Sequence, residues 1–81
     1  MTKLEEKIIN LISNHLGVSQ KEITLESSLR KDLGAETLMI ADLLAELQEE
    51  LNLELEEVEP EKIKTVGQLI NYIEGKNTEF E

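Results

Sequence analysis

The stretch that decides the fold is KDLGAETLMIADLL, residues 31–44. It joins a turn to the start of an amphipathic helix. Gly34 supplies backbone freedom at the turn, and from Thr37 onward the apolar residues return at helical spacing. Ile40, Leu44, Leu47 and Leu51 form one face, widened by Ala41 and Leu43, while Asp42, Glu46, Glu49 and Glu50 occupy much of the rest. The pattern predicts a helix from about Thr37 to Leu51. Threonine is a good N-cap and glutamate a poor one, so Thr37 is the expected cap.

Working outward, Thr2-Lys3-Leu4-Glu5 reads as a capping box. Leu4, Ile8, Leu11, Ile12 and Leu16 then form a helical stripe that Gly17 stops. His15 stands beside that stripe near the helix end and reads as structural. Residues 18–36 form a long connection in which Val18, Ile23, Leu25, Leu29 and Leu33 serve as apolar anchors. Beyond the second helix, residues 54–60 are acidic and turn-like, with one short helix expected from about Glu57 to Lys62. Thr65-Val66-Gly67-Gln68 repeats the capping-box pattern, and Val66, Leu69, Ile70 and Ile73 give a last helix closed by Gly75. Residues 1–75 are expected to form the domain and 76–81 a loose tail. With no convincing strand alternation, the fold class is all-α.

Composition removes several kinds of function. Eighty-one residues leave room for one small domain. There are no cysteines, so disulfides and thiolate chemistry are excluded, and the single histidine has no second histidine to complete a metal site. Apolar runs are too short to cross a bilayer, and MTKLEEKIIN is neither a signal nor a transit peptide, so the expected location is the cytoplasm. The net charge is −10. From Asp32 to Glu61 there are eleven acidic residues and no Lys or Arg. That field disfavours nucleic acid and anionic membranes and attracts basic protein surfaces. No window has the ligand spacing of a calcium loop, and the acids at 54, 56, 57, 59 and 61 read as a solvated face rather than a metal site. Ser27, Ser28 and Thr37 have no evident base to activate them, so no enzyme is expected.

The segment DLGAETLMIADLLAELQEEL, residues 32–51, resembles the signature of acyl carrier proteins, in which D-L-G-A-D-S-L opens the second helix. HLGV at 15–18 and EKIKTVGQLINYIE at 61–74 extend the likeness over nearly the whole chain. The resemblance implies a small four-helix bundle with a long loop between helices 1 and 2 and a short third helix. It implies a serine carrying 4′-phosphopantetheine, an arm that holds acyl groups as thioesters in fatty acid or related biosynthesis. The implied partners are a phosphopantetheinyl transferase and acyl-processing enzymes with basic docking patches, acting on a monomer. Carried over residue by residue, attachment falls on Thr37. Docking falls on Glu36, Leu38, Met39, Asp42, Ala45, Gln48 and Glu49, and acyl-chain lining on Leu47, Leu55, Ile63 and Leu69. Leu69 stands where a small residue is common, which would shorten such a pocket, although ordinary core packing is the preferred reading because buried leucine is the default.

The departures lie at the centre. Thr37 stands in the place of the serine, Glu36 of the preceding Asp, and Met39 of a residue that is often acidic. Threonine's secondary alcohol and β-branch restrict how its oxygen reaches a phosphorus, and a capping hydroxyl would be engaged elsewhere. These considerations tilt the expectation toward a Thr37 left unmodified or modified slowly. The alternative function is then a non-carrying acidic module that docks on the partners of carrier proteins.

Overall fold

A computed structural model describes residues 2–55 and 58–77, the side chains of residues 76 and 77 excepted. Three α-helices make up the frame: α1 (Lys3–Leu16), α2 (Thr37–Leu51) and α3 (Val66–Asn77). Two single 3₁₀ turns, Gln20–Glu22 and Pro60–Lys62, complete the regular structure among the described residues. The chain is therefore all-helical, but the expected fourth helix is a 3₁₀ turn at Pro60–Lys62. Residues 56 and 57, which include the expected start of that helix, lie outside the described residues.

Local chemistry accounts for most helix ends. At α1 the Glu5 N–H donates to Thr2 Oγ1 at 3.1 Å while Glu5 Oε1 accepts the Thr2 N–H at 2.8 Å. The helix ends at Gly17, left-handed at φ 70, whose N–H reaches the Ser13 carbonyl. Before α3 the second capping box forms as well: Gln68 N–H donates to Thr65 Oγ1 at 3.1 Å and Thr65 N–H to Gln68 Oε1 at 3.3 Å. Gly75 does not close α3, which continues to Asn77; residues 78–81 of the tail lie outside the described residues. At the end of α2, Asn52 takes the left-handed conformation at φ 56, which asparagine tolerates better than most residues.

The core is the meeting of the apolar stripes. Ile8, Ile9 and Ile12 of α1 pack with Ile40, Leu43, Leu44 and Leu47 of α2 and with Val66, Leu69, Ile70 and Ile73 of the last helix. Both α2 and α3 pack against α1, and the Pro60–Lys62 turn packs on α2. Of the anchors expected in the long loop, Ile23, Leu29 and Leu33 are buried, Val18 is half-buried, and Leu25 is exposed. Leu25 contributes its backbone instead. An antiparallel bridge joins Ser28 to Thr65, with Leu29 N–H on the Lys64 carbonyl at 2.9 Å, Val66 N–H on the Ser27 carbonyl at 3.1 Å and Gly67 N–H on the Leu25 carbonyl at 2.9 Å. The loop is thus stitched to the entrance of α3.

Candidate attachment and docking site

The approach to α2 is built by the loop's own hydrogen bonds. Asp32 Oδ2 accepts the Ser28 N–H at 2.7 Å, and the Asp32 and Leu33 N–H groups both return to the Ser28 carbonyl. Leu33 is buried beneath this turn, Gly34 takes the left-handed conformation at φ 73, and Ala35 is buried with its N–H on the Leu29 carbonyl at 2.7 Å. Asp32, Leu33 and Gly34 thus have separate tasks: closing the turn, anchoring it and reversing the chain. With Ala35 fixed inside, the next residues emerge into solvent.

Glu36, not Thr37, is the N-cap of α2, with extended backbone at φ −90 and ψ 165. Its carbonyl accepts the Ile40 N–H at 2.9 Å, and its own N–H points to the Met39 sulfur at 3.5 Å. A thioether is a weak acceptor, yet it occupies the place that a glutamate oxygen fills in an ordinary capping box. Half-buried Met39 is therefore part of the helix start. Burial of Ala35 sets the phase of the chain here and overrides the capping preference of threonine.

Thr37 consequently becomes the first residue of α2. Its side chain is exposed, and no hydrogen bond holds its hydroxyl among the described residues. The adjacent Leu38 is 73% exposed, an unusual position for a large apolar side chain. An unengaged hydroxyl on the first turn of a 15-residue helix fits a phosphodiester. Its oxygen is available, and the N-terminal N–H groups and helix dipole favour an added negative charge. By contrast, Ser27 is buried, with its hydroxyl held by Thr24 and directed to the Glu22 carbonyl, so it is structural.

The other docking candidates divide. Glu36, Asp42, Ala45 and Glu49 are exposed. Gln48 is half-buried, and its Oε1 accepts the Leu55 N–H at 2.8 Å, so it braces the chain leaving α2. The acyl-lining candidates Leu47, Leu55, Ile63 and Leu69 are all buried. A cleft of about 280 Å³ lies beside α2, lined by Ala41, Leu44, Ala45, Gln48, Leu55, Val58 and Pro60. Of the four candidates only Leu55 borders it. The sequence reading missed this cleft; the small side chains of Ala41 and Ala45, one helical turn apart, are the signal that could have found it. Among the described residues no group of three acidic or histidine side chains converges as a metal site, and no helix is long and apolar enough to cross a membrane.

Known proteins resemble this chain over most of its length. The family model described as "Phosphopantetheine attachment site" matches residues 6–73, so the class is that of proteins bearing this prosthetic group. The acyl carrier protein of Clostridium acetobutylicum is 40% identical over 74 residues, which cover 91% of this chain and 96% of that protein. The chain belongs to the acyl carrier protein family. Members of that family are carriers rather than enzymes. The matches favour the carrier function over the non-carrying docking module, and the structure removes one ground for an unloaded Thr37 because its hydroxyl is not a cap.

Proposed function

We propose that Thr37 is the attachment point for 4′-phosphopantetheine and that the chain carries acyl groups in fatty acid or related biosynthesis. The observation that carries this reading is the exposed, unengaged Thr37 hydroxyl at the first position of α2. The arm, when bound, supplies a terminal thiol on which acyl groups are held as thioesters. The chain's own contribution is positional. In loading from coenzyme A, Thr37 Oγ1 would bond to the phosphorus of the arm as that phosphorus's bond to the diphosphate bridge breaks, with adenosine 3′,5′-bisphosphate leaving and the hydroxyl proton passing to the transferase. The first turn of α2 would present N–H groups to the resulting phosphodiester. The turn closed by Asp32 and Gly34 holds that oxygen clear of the core. The chain itself catalyses nothing, and its place is the cytoplasm, as a monomer.

Glu36, Leu38, Met39, Asp42, Ala45, Gln48 and Glu49 form the face toward the transferase and the acyl-processing enzymes. The acids steer basic patches, and Leu38 supplies an apolar contact at the centre. Leu55, shared by the core and the cleft beside α2, is the point at which an acyl chain would enter between the helices. Leu47, Ile63 and Leu69, buried in the core, limit its length. The test is intact-mass measurement after incubation with a phosphopantetheinyl transferase and coenzyme A, with Thr37→Ala as control. A phosphopantetheine increment that vanishes in the control supports attachment at Thr37. An unchanged mass with an active transferase overturns it.

A further inference from the structure

On a protein of net charge −10, one cleft runs against the field. It has a volume of about 550 Å³ and lies where the long loop meets the entrance of α3, lined by Ser28, Arg30, Lys31, Glu61, Lys64 and Thr65. Three cations face one carboxylate. Among the described residues no carboxylate lies within ion-pair reach of Arg30, Lys31 or Lys64; Lys62, close by in sequence, is paired with Glu59 at 3.9 Å. Asp32, the other acid of this loop, turns its Oδ2 onto the Ser28 N–H at 2.7 Å.

The two hydroxyls of the cleft are oriented by their neighbours. Ser28 Oγ accepts the Lys31 N–H at 3.0 Å, and Thr65 Oγ1 accepts the Gln68 N–H at 3.1 Å. Each oxygen therefore has its own hydrogen left to donate. The Ser28–Thr65 bridge and the Leu29-to-Lys64 backbone bond fix the two walls relative to each other, so the backbone holds the two hydroxyls and the bases of the three cationic side chains around one cleft. A guanidinium fork, two ammonium groups and two hydroxyl donors suit a compact polyanion with oxygens on all sides. The volume falls within the range of small-molecule sites.

We propose that this cleft is an anion site for a diphosphate group, distinct from the attachment site at Thr37. Free diphosphate and the diphosphate of a nucleotide present the same chemistry to these donors, and the experiment separates them. The full chain, in 50 mM salt, is titrated with inorganic diphosphate and in parallel with ADP, with amide shifts followed by NMR. Saturable shifts centred on residues 28–31 and 64–65 are expected. Arg30→Gln should weaken binding about tenfold, in line with the loss of charge-assisted hydrogen bonds, and Glu61→Gln should tighten it. Arg30 and Glu61 are both exposed, so these variants should keep the wild-type spectrum elsewhere. Tighter binding of ADP assigns the site to a nucleotide; equal binding assigns it to the diphosphate alone. The proposal is overturned if shifts do not saturate, if they spread over the surface, or if Arg30→Gln and Glu61→Gln leave the affinity unchanged. A response only to an acidic or phosphorylated peptide overturns it too, in favour of a protein-docking surface.

Discussion

The Gly67 N–H donates to the Leu25 carbonyl at 2.9 Å, and a Cβ on Gly67 would stand 3.0 Å from that same oxygen. The hydrogen bond and the close approach are one contact, and a side chain at Gly67 would push the Leu25 carbonyl back by a few tenths of an ångström. It is the outermost of the backbone bonds that tie the long loop to α3. Gly67→Ala gains helix propensity but must displace backbone rather than a flexible side chain. A net loss of about 1–3 kcal/mol is expected, the usual cost of overpacking. Urea denaturation measures it, and faster amide exchange at Gly67 and Val66 should accompany it. An unchanged midpoint would mean that the loop yields freely there.

Gln48 illustrates how a surface position acquires a structural task. Its side chain takes the N–H of Leu55, a residue only 3% exposed, while its carbonyl takes the N–H groups of Asn52 and Leu53. Gln48→Ala leaves the Leu55 N–H without its partner, and a loss of about 1–3 kcal/mol follows from the cost of an unsatisfied buried donor. Gln48→Glu keeps an acceptor and should lose less. If partner binding falls in Gln48→Ala while stability holds, the residue acts by direct contact instead.

What the sequence disclosed and what it withheld divide along one physical line. Thr2 with Glu5, Thr65 with Gln68, and Gly17 as a stop are local chemistry within a few residues, and all appear in the structure. The apolar stripes of the helices were legible because burial repeats at the helical period, although Ile9 escaped as the side neighbour of that stripe. The cap at Glu36 was misread because the burial of Ala35, a tertiary event, decides which residue enters the helix first. The Leu25–Gly67 contact, the Ser28–Thr65 bridge and the cleft behind it join segments far apart in sequence. No spacing rule within either segment carries that information. The candidate site was legible mostly through motif resemblance; the freedom of the Thr37 hydroxyl required the fold.

Asn52 closes α2 at φ 56 with its N–H on the Gln48 carbonyl. An alanine there keeps the bond but pays the left-handed penalty, so Asn52→Ala should cost about 1 kcal/mol. Asn52→Gly should sit within a few tenths of a kcal/mol of the wild type, since glycine adopts this conformation freely. Thermal melts of the pair isolate the backbone term. If both variants destabilise equally, the asparagine side chain rather than its conformation is what matters.

The acidic face makes an electrostatic prediction. Asp42 and Glu49 are exposed, so Asp42→Lys and Glu49→Lys should each change stability by no more than about 0.5 kcal/mol. Association with a basic partner should slow about tenfold at low ionic strength, and the difference should shrink as salt rises. Stopped-flow association across a salt series reads both effects. A rate indifferent to charge reversal would remove Asp42 and Glu49 from the docking face.

The threonine at the attachment point is the sharpest case. Thr37→Ser removes one exposed methyl, touching no core residue and no cap, so stability should move by less than about 0.5 kcal/mol. The reacting oxygen, however, gains a primary alcohol's rotational freedom. A misplacement of about 1 Å at a reacting centre can cost ~10²-fold in rate, so loading by a transferase shaped for serine should accelerate by up to that factor. Time courses of intact mass, at equal protein and transferase concentration, give the ratio. A large gain would identify the methyl as a brake on loading. Equal rates would show that the exposed first turn of α2 lets threonine reach the same geometry unaided. Thr37→Ala should stay unloaded under both outcomes, with α2 intact because Glu36 and Met39, not the Thr37 hydroxyl, cap the helix.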